Sequence, residues 1–222
     1  FQHAFRMLET ESAAISTQYA EGNLTGEYIL NLKRQLLADN DFLLSNSAIF
    51  EPGYVTAASS EAKALLDASD RFVPYLVRDG NNPFIEVPIE DYLEADWYVE
   101  PVINGNTYIT DPYDYEVNGE AISMVTLVVP VKADNRVIGY VSADFSLTFL
   151  NTLVTNNAPN DGVQRVLTGS GSVVADSFND AIVGQTLEQF TSESTGLTNA
   201  IQSNDISAAY QEDLSLQKEV YQ

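Results

Sequence analysis

Apolar positions in the first 40 residues recur at helical spacing. Phe5, Leu8, Ile15 and Tyr19 share one face, the small Ser12 fills the step between Leu8 and Ile15, and acids and amides lie between them. The run Glu21-Gly22-Asn23-Leu24-Thr25-Gly26 interrupts that pattern. Tyr28, Ile29, Leu32, Leu36 and Leu37 then share a second face. The spacing predicts a long N-terminal helix over residues 1–40, broken near 22–26. From Asp41 the period becomes that of strands. Residues 42–50 predict a strand closed by the turn Glu51-Pro52-Gly53, and 84–87 and 97–102 predict further short strands. Ile103-Asn104-Gly105-Asn106 and Val117-Asn118-Gly119-Glu120 each carry the Asn-Gly pair favoured in tight hairpins. Residues 123–131 and 136–144 predict two strands joined at Ala133-Asp134-Asn135. Residues 42–145 therefore read as an antiparallel sheet with one loop-rich edge.

Residues 147–154 predict a short helical crossing, and 156–162 are polar. A smaller strand group begins at Val163 with VQRVLTG, a Gly-Ser turn and SVVADS, and continues through Ile182-Val183-Gly184 and a short helix at 187–190. The tail from Ile206 stays open between two readings. Leu214, Leu216 and Val220 alternate as in a strand, while Ala208, Ala209 and the Gln and Glu content permit a helix. The two strand groups are alike in kind without repeating at a fixed period.

Composition narrows the function. With 222 residues, 45% hydrophobic and 19% charged, the chain is a folded one and not a disordered tract. Asp and Glu number 32 against 10 Lys plus Arg, a formal charge of −22. Such a surface repels phosphate backbones and anionic lipid, which excludes nucleic acid as a partner, whereas small cations meet no barrier. There is no Cys, and the only histidine is His3 near the chain start. Thiol chemistry, thiolate metal sites, a Ser-His-Asp triad and a histidine zinc site have no residues to stand on. Neither a phosphate-binding GxxxxGK[ST] loop nor a GxGxxG after a strand occurs. No apolar run reaches the roughly 18 residues of a membrane span. The chain starts in mid-pattern at Phe1, which reads as a piece of something longer.

Six segments, in order, carry a resemblance: FEPG (50–53), RFVPYLVRDG (71–80), DWYVEP (96–101), TDPYDY (110–115), SMVTLVVPV (123–131) and VIGYVSADFSL (137–147). Together they resemble a double Cache domain, the extracytoplasmic sensor of bacterial methyl-accepting chemotaxis proteins and some histidine kinases. The resemblance implies an α+β fold in which a long N-terminal helix (1–40) is followed by two PAS-like antiparallel-sheet modules. The membrane-distal module (41–148) would bind ligand. The membrane-proximal module (149–222) would be incomplete at Gln222. It also implies a periplasmic domain of an inner-membrane receptor, transmembrane helices outside this chain, and a homodimer in the full receptor. No cofactor, metal or enzymatic activity is implied.

The resemblance also assigns roles. In amino-acid-binding members an Arg two residues before the Trp clamps the ligand carboxylate, a Trp-Tyr pair and a later Tyr box the ligand, and an Asp takes its ammonium. The matching positions are Trp97, Tyr98, Tyr113 and Asp144, but the Arg position holds Ala95, with Asp96 beside it and Glu100 three residues past Trp97. Without a guanidinium the site loses the bidentate partner of a carboxylate. The residues themselves agree: Trp97, Tyr98, Tyr113 and Tyr115 supply π-faces, and Asp96, Asp114 and Asp144 supply negative charge. This combination suits a primary amine, a polyamine or a quaternary amine.

Each candidate has a plain structural role beside the binding one. Trp97 and Tyr98 would face opposite sides of a strand, so one of them would be core, and Asp144 would cap the next helix. Asp96 would be a solvated loop residue, Asp114 and Tyr115 hairpin residues, and Arg71 and Arg78 partners of nearby acids. The acid-rich stretch 111–120 lacks the EF-hand arrangement of Gly and Glu and reads as a solvated hairpin and not a calcium loop. The expectation is thus a non-catalytic sensor of an amine-type ligand. The alternative within the fold is an amino-acid or zwitterion sensor using Arg71 for the carboxylate. Rival classes are an acid-pair hydrolase on Asp96, Glu100 or Asp144, and an adhesion module without a small-molecule ligand.

Overall fold

The computed structural model describes residues 2–78, 85–89, 91–117, 119–158 and 163–186. The helical pattern at the chain start gives α1 (Gln2–Ala20) and α2 (Gly26–Asp39). The break between them is the expected one. Gly22 takes φ +74°, and Thr25 caps α2 by accepting a hydrogen bond from the Tyr28 N–H at 3.2 Å. The buried face of α1 is Ala4, Leu8, Glu11, Ser12 and Ile15, so an acid lies on it beside the expected apolar positions. On α2 the buried face is Gly26, Ile29, Leu30, Lys33 and Leu37. Each fully buried Leu or Ile there contributes about 1.5–3 kcal/mol. No helix among the described residues is long and apolar enough to cross a membrane.

The chain divides into two compact units, Phe1–Thr110 with Thr126–Phe145, and Asp111–Val125 with Ser146–Gln222. The first is built on an antiparallel sheet of β1 (Ser45–Phe50), β2 (Pro74–Val77), β3 (Ile85–Pro88), β4 (Tyr108–Ile109), β6 (Glu120–Ala133) and β7 (Arg136–Ser146). Their order is β3-β2-β1-β7-β6-β4. The β6–β7 turn at Asp134 and Asn135, both with positive φ, falls where the sequence placed it. Between β1 and β2 lies the short α3 (Ser60–Lys63). Register sorts the sheet into two faces. Ser45 pairs with Asp144, Ser47 with Ser142 and Ile49 with Tyr140 on one face. On the other face Asn46 Nδ2 donates to the Lys33 carbonyl of α2 at 2.9 Å, and Ser12 of α1 donates to the Pro130 carbonyl at 2.9 Å. α2 thus lies against the face opposite Asp144. Gly139 permits the close β1–β7 approach: a Cβ there would meet the Ile49 carbonyl oxygen at 2.3 Å.

Three local expectations are corrected. Residues 97–102 form no strand but lie in α4 (Asp96–Asn104). Tyr98 and Pro101, three apart, are buried on it, and Gly105 at φ +62° ends it by donating to the Pro101 carbonyl. The Asn104-Gly105 pair is therefore a helix stop and not a hairpin turn. The first strand begins at Ser45, because 41–44 form the turn that follows α2, in which the Leu43 N–H donates to the Asn40 carbonyl.

The second unit contains β5 (Tyr113–Val117) paired with the start of β6, α5 (Leu147–Asn157), the hairpin β8 (Arg165–Leu167) with β9 (Val173–Asp176), and a 3₁₀ turn, Asp180–Ile182. Val117 lies opposite Glu120, as the Asn-Gly signal there required. The expected helix at 187–190 and the tail from 206 lie outside the described residues.

Candidate functional site

Asp144 is the centre of a buried polar patch on the sheet face opposite α2. It is 4% exposed. Ser45 Oγ donates to its Oδ2 at 2.5 Å, and Thr126 Oγ1 donates to its Oδ1 at 2.6 Å. Tyr75, on β2, donates its hydroxyl to Ser45 Oγ at 3.1 Å, so the hydroxyl chain ends on the carboxylate. Ser47 and Ser142 share a short hydrogen bond on the same face. The helix that follows is capped by Ser146, whose Oγ accepts from the Phe149 N–H, so Asp144 is not a helix cap. Burial pushes the Asp144 carboxyl above the ordinary carboxylate range, against the opposing pull of the Ser45 and Thr126 hydroxyls and of Lys33. Among the described residues no cationic side chain forms an ion pair with it.

Four residues back along β7, about 13 Å at strand spacing, Tyr140 marks the edge of an aromatic cluster. Its ring meets Tyr98 edge-on at 6.0 Å, and Tyr98 meets Tyr92 at 5.1 Å in the same T-shaped manner. Trp97, half-buried, is tilted against Tyr92 at 6.4 Å. Helical geometry explains the difference between Trp97 and Tyr98: neighbours on α4 diverge by about 100°, so Tyr98 turns inward.

Arg71 joins this cluster through two acids. Its Nε lies 3.3 Å from Glu51 Oε2 and its Nη1 3.7 Å from Asp67 Oδ2. The Tyr98 hydroxyl donates to Glu51 Oε1 at 2.9 Å, and the Tyr92 hydroxyl to Asp67 Oδ2 at 2.5 Å. Burial and then the hydrogen bonds to those acids push both phenols upward. Burial alone would lift the Asp67 carboxyl, but the Tyr92 hydroxyl, the N–H groups of Arg71 and Ser69, and the Arg71 charge hold it below the usual range. A cavity of about 700 Å³ lies beside the cluster, lined by Asp67, Pro88, Ile89, Tyr92, Leu93 and Glu94 among others.

The remaining candidates are placed as follows. Asp96 is exposed in the first turn of α4, where its charge suits the helix N-terminus. Glu100 is half-buried and accepts from Asn104 Nδ2 at 2.7 Å. Tyr113, Asp114 and Tyr115 lie on β5 in the second unit, with Tyr113 opposite Met124, Tyr115 opposite Ile122, and Asp114 accepting a short hydrogen bond from Ser123. Arg78 donates to the carbonyls of Leu37, Asn40 and Leu43, closing the end of α2. Among the described residues no three His, Cys, Asp or Glu side chains converge as metal ligands would.

Sequence reasoning missed Ser45, Tyr75, Thr126, Tyr140, Tyr92, Glu51 and Asp67. One signal was present for part of the set. Tyr140, Ser142 and Asp144 alternate with Val141 and Ala143, which marks a polar face on an otherwise apolar strand.

Comparison with known proteins agrees with this architecture. Residues 29–152 match the sequence profile of the methyl-accepting chemotaxis protein-like, first PDC sensor domain. A curated relative, methyl-accepting chemotaxis protein TlpQ of Pseudomonas aeruginosa, is 28% identical over 104 residues. That stretch covers 45% of this chain and 15% of TlpQ. The crystal structure of a histidine-kinase extracellular domain, mmHK1S-Z3, superposes with a TM-score of 0.72 at 23% identity, covering 90% of this chain and 74% of that one. The periplasmic sensory domain of the Campylobacter jejuni chemoreceptor Tlp1 gives 0.68 at 16% identity, covering 91% and 75%. The ligand-binding domain of C. jejuni Tlp3 in complex with L-valine gives 0.54 at 14%, covering 80% and 63%. The profile match takes in more than half of the chain, which therefore belongs to the methyl-accepting chemotaxis protein-like PDC sensor domains, non-enzymatic extracytoplasmic modules of chemotactic signalling.

Proposed function

We propose that this domain senses an amine-type ligand whose ammonium group docks on Asp144. The carrying observation is the way that carboxylate is satisfied: buried, with only neutral hydroxyls as hydrogen-bond donors among the described residues. A carboxylate offers about four acceptor positions, and Ser45 and Thr126 fill two of them. An ammonium would take the remainder through charge-assisted bonds and supply the missing positive charge. Only a ligand that spans the roughly 13 Å from Asp144 to Tyr140 would also reach the aromatic faces of Tyr98 and Trp97. With Ala95 at the position where amino-acid-binding relatives carry Arg, nothing there receives a carboxylate. Arg71, the alternative guanidinium, is already held by Glu51 and Asp67. An α-amino acid would leave its carboxylate without a cationic partner among the described residues, which is costly when buried.

The zwitterion reading draws on one observation, the L-valine complex of Tlp3. In this chain it would need backbone N–H groups in place of the guanidinium. In either case the distal module (41–148) is the sensor. The ligand biases two arrangements of that module, and the bias reaches the membrane in a dimeric inner-membrane receptor. Calorimetry and thermal shift against n-butylamine, putrescine, choline and the twenty amino acids decide between the readings. The amine reading expects a raised midpoint with amines that is abolished in Asp144→Asn. Binding of amino acids alone, or amine binding that persists in Asp144→Asn, would sink it.

A further inference from the structure

We infer that the buried pair of Glu11 on α1 and Lys33 on α2 sets the electrostatic potential at Asp144, so that the N-terminal helix and the ligand site are coupled through the sheet. The coupling to ligand rests on the amine reading above, whereas the coupling to Asp144 itself does not. Lys33 is fully buried, and its Nζ lies 3.1 Å from each oxygen of Glu11, itself 4% exposed. Two charges with no route to water are an expensive way to join two helices, since an apolar pair would serve as well or better. The next links are also close. Asn46 holds the Lys33 carbonyl, its Oδ1 is buried without a hydrogen-bond partner among the described residues, and its neighbour Ser45 holds Asp144. One strand thus touches the helix pair with one face and the site with the other.

The groups acting on Asp144 can be named element by element: Ser45 on β1, Tyr75 on β2 through Ser45, and Thr126 on β6 share its face, while the charge of Lys33 on α2, with Glu11 of α1 beside it, acts from the other side of β1. Lys33 is the only one carrying positive charge, and it pulls the Asp144 carboxyl downward while burial pushes it up. Asp144 in turn supports the Lys33 ammonium, which burial otherwise depresses. Any movement of α1 that changes the Glu11–Lys33 distance therefore changes how strongly Asp144 attracts a cation. By linkage, a cation on Asp144 changes the preferred position of α1 by the same free energy.

The test is a carbon-13 NMR titration of the Asp144 carboxyl in the ligand-free 222-residue domain. Lys33→Met is expected to move its midpoint up, on the order of one pH unit. Glu11→Gln is expected to move it down, because Lys33 is then less neutralised. Ser12→Ala, which disturbs α1 packing without touching charge, should leave it in place. Should Lys33→Met fail to fold, the neutral pair Glu11→Gln/Lys33→Met carries the same upward expectation. An unmoved midpoint in the folded charge variants, or an equal shift in Ser12→Ala, overturns the inference. A second arm measures n-butylamine binding by calorimetry, where Glu11→Gln should weaken it about fivefold; unchanged affinity overturns the link to ligand. If the unmodified domain binds no amine, the functional reading falls while the titration still decides the coupling.

Discussion

Asp144 in the first unit and Asp176 in the second both end a segment of the form Val-X-Ala-Asp, Val141–Asp144 and Val173–Asp176. Both side chains are buried, yet they are satisfied by opposite means. Asp176 has its own cation: Arg165, across the β8–β9 hairpin, donates Nε to Oδ2 at 2.5 Å. The N–H groups of Phe178 and Asn179 close its other oxygen at 2.8 Å each. Among the described residues Asp144 has hydroxyl donors alone. The difference teaches what makes a buried acid a receptor site. An acid neutralised from within its own hairpin is finished as structure, whereas one held in shape by neutral donors has no internal cation and, on the proposed reading, is completed by a partner from outside. On the proposed reading, Arg165 is the tethered counterpart of the ammonium that would dock on Asp144.

The strongest way to break that comparison is to remove the internal cation. Arg165→Met leaves Asp176 buried and unpaired, at a cost of about 3 kcal/mol, read by denaturant unfolding of the second unit. Adding Asp176→Asn should recover most of it. The matching change in the first unit behaves differently. Asp144→Asn keeps the shape and removes a charge that burial disfavours, so stability at neutral pH should hold or rise. Amine affinity should fall about a hundredfold, measured by calorimetry. If Asp144→Asn instead destabilises as Arg165→Met does, both acids are structural and the distinction fails.

Much of this was legible in the sequence. The helix break at Gly22 and Thr25, the Asp134-Asn135 turn and the two long strands follow from local chemistry that nothing overrides. Asp144 and the Trp97-Tyr98 pair entered as candidates through the order of six segments. The errors have tertiary causes. Residues 97–102 are β-prone in composition, yet Asp96 at the start, Gly105 at the stop and burial of positions three apart make them a helix. The arrangement around Arg71 depends on Glu51, Asp67 and Tyr92 meeting from three separate loops, which no local pattern encodes. Glu11 and Lys33 sit in helical stretches where a charge ordinarily marks the solvated face, and only the pairing of α1 with α2 puts them inside.

A middle-sized effect sharpens the same contrast at the aromatic cluster. Tyr98→Phe keeps the ring packed between Tyr92 and Tyr140 but removes the hydroxyl bond to Glu51. It should cost about 1 kcal/mol of stability, with a smaller change in amine affinity than any change at Asp144. A larger loss of affinity than of stability would mean that the Tyr98 hydroxyl, and not only its ring, touches ligand.

The smallest effect is one of pH, and it separates two acids by sign. Glu27, near the start of α2, is held by Ser59 through its side chain and then through the backbone N–H at 2.7 Å, which draws its carboxyl down to about 2. A lowered value in the folded state gives stability that is present above the ordinary 4.5 and lost as pH falls toward 2. Asp144 is raised from 3.8 by burial, so its contribution runs the other way: present at low pH and lost as pH climbs through the raised value. Unfolding free energies measured from pH 2 to 7 should therefore lose part of their acid limb in Glu27→Gln. In Asp144→Asn they should lose part of the decline on the neutral side. Amine binding reverses the Asp144 term, since an ammonium favours the ionised carboxylate. In the window just below and around the raised value, binding should release protons, seen as a dependence of the calorimetric heat on buffer ionisation enthalpy. Binding without proton release anywhere in that window would place the ammonium on a carboxylate that is already ionised, and so somewhere other than Asp144.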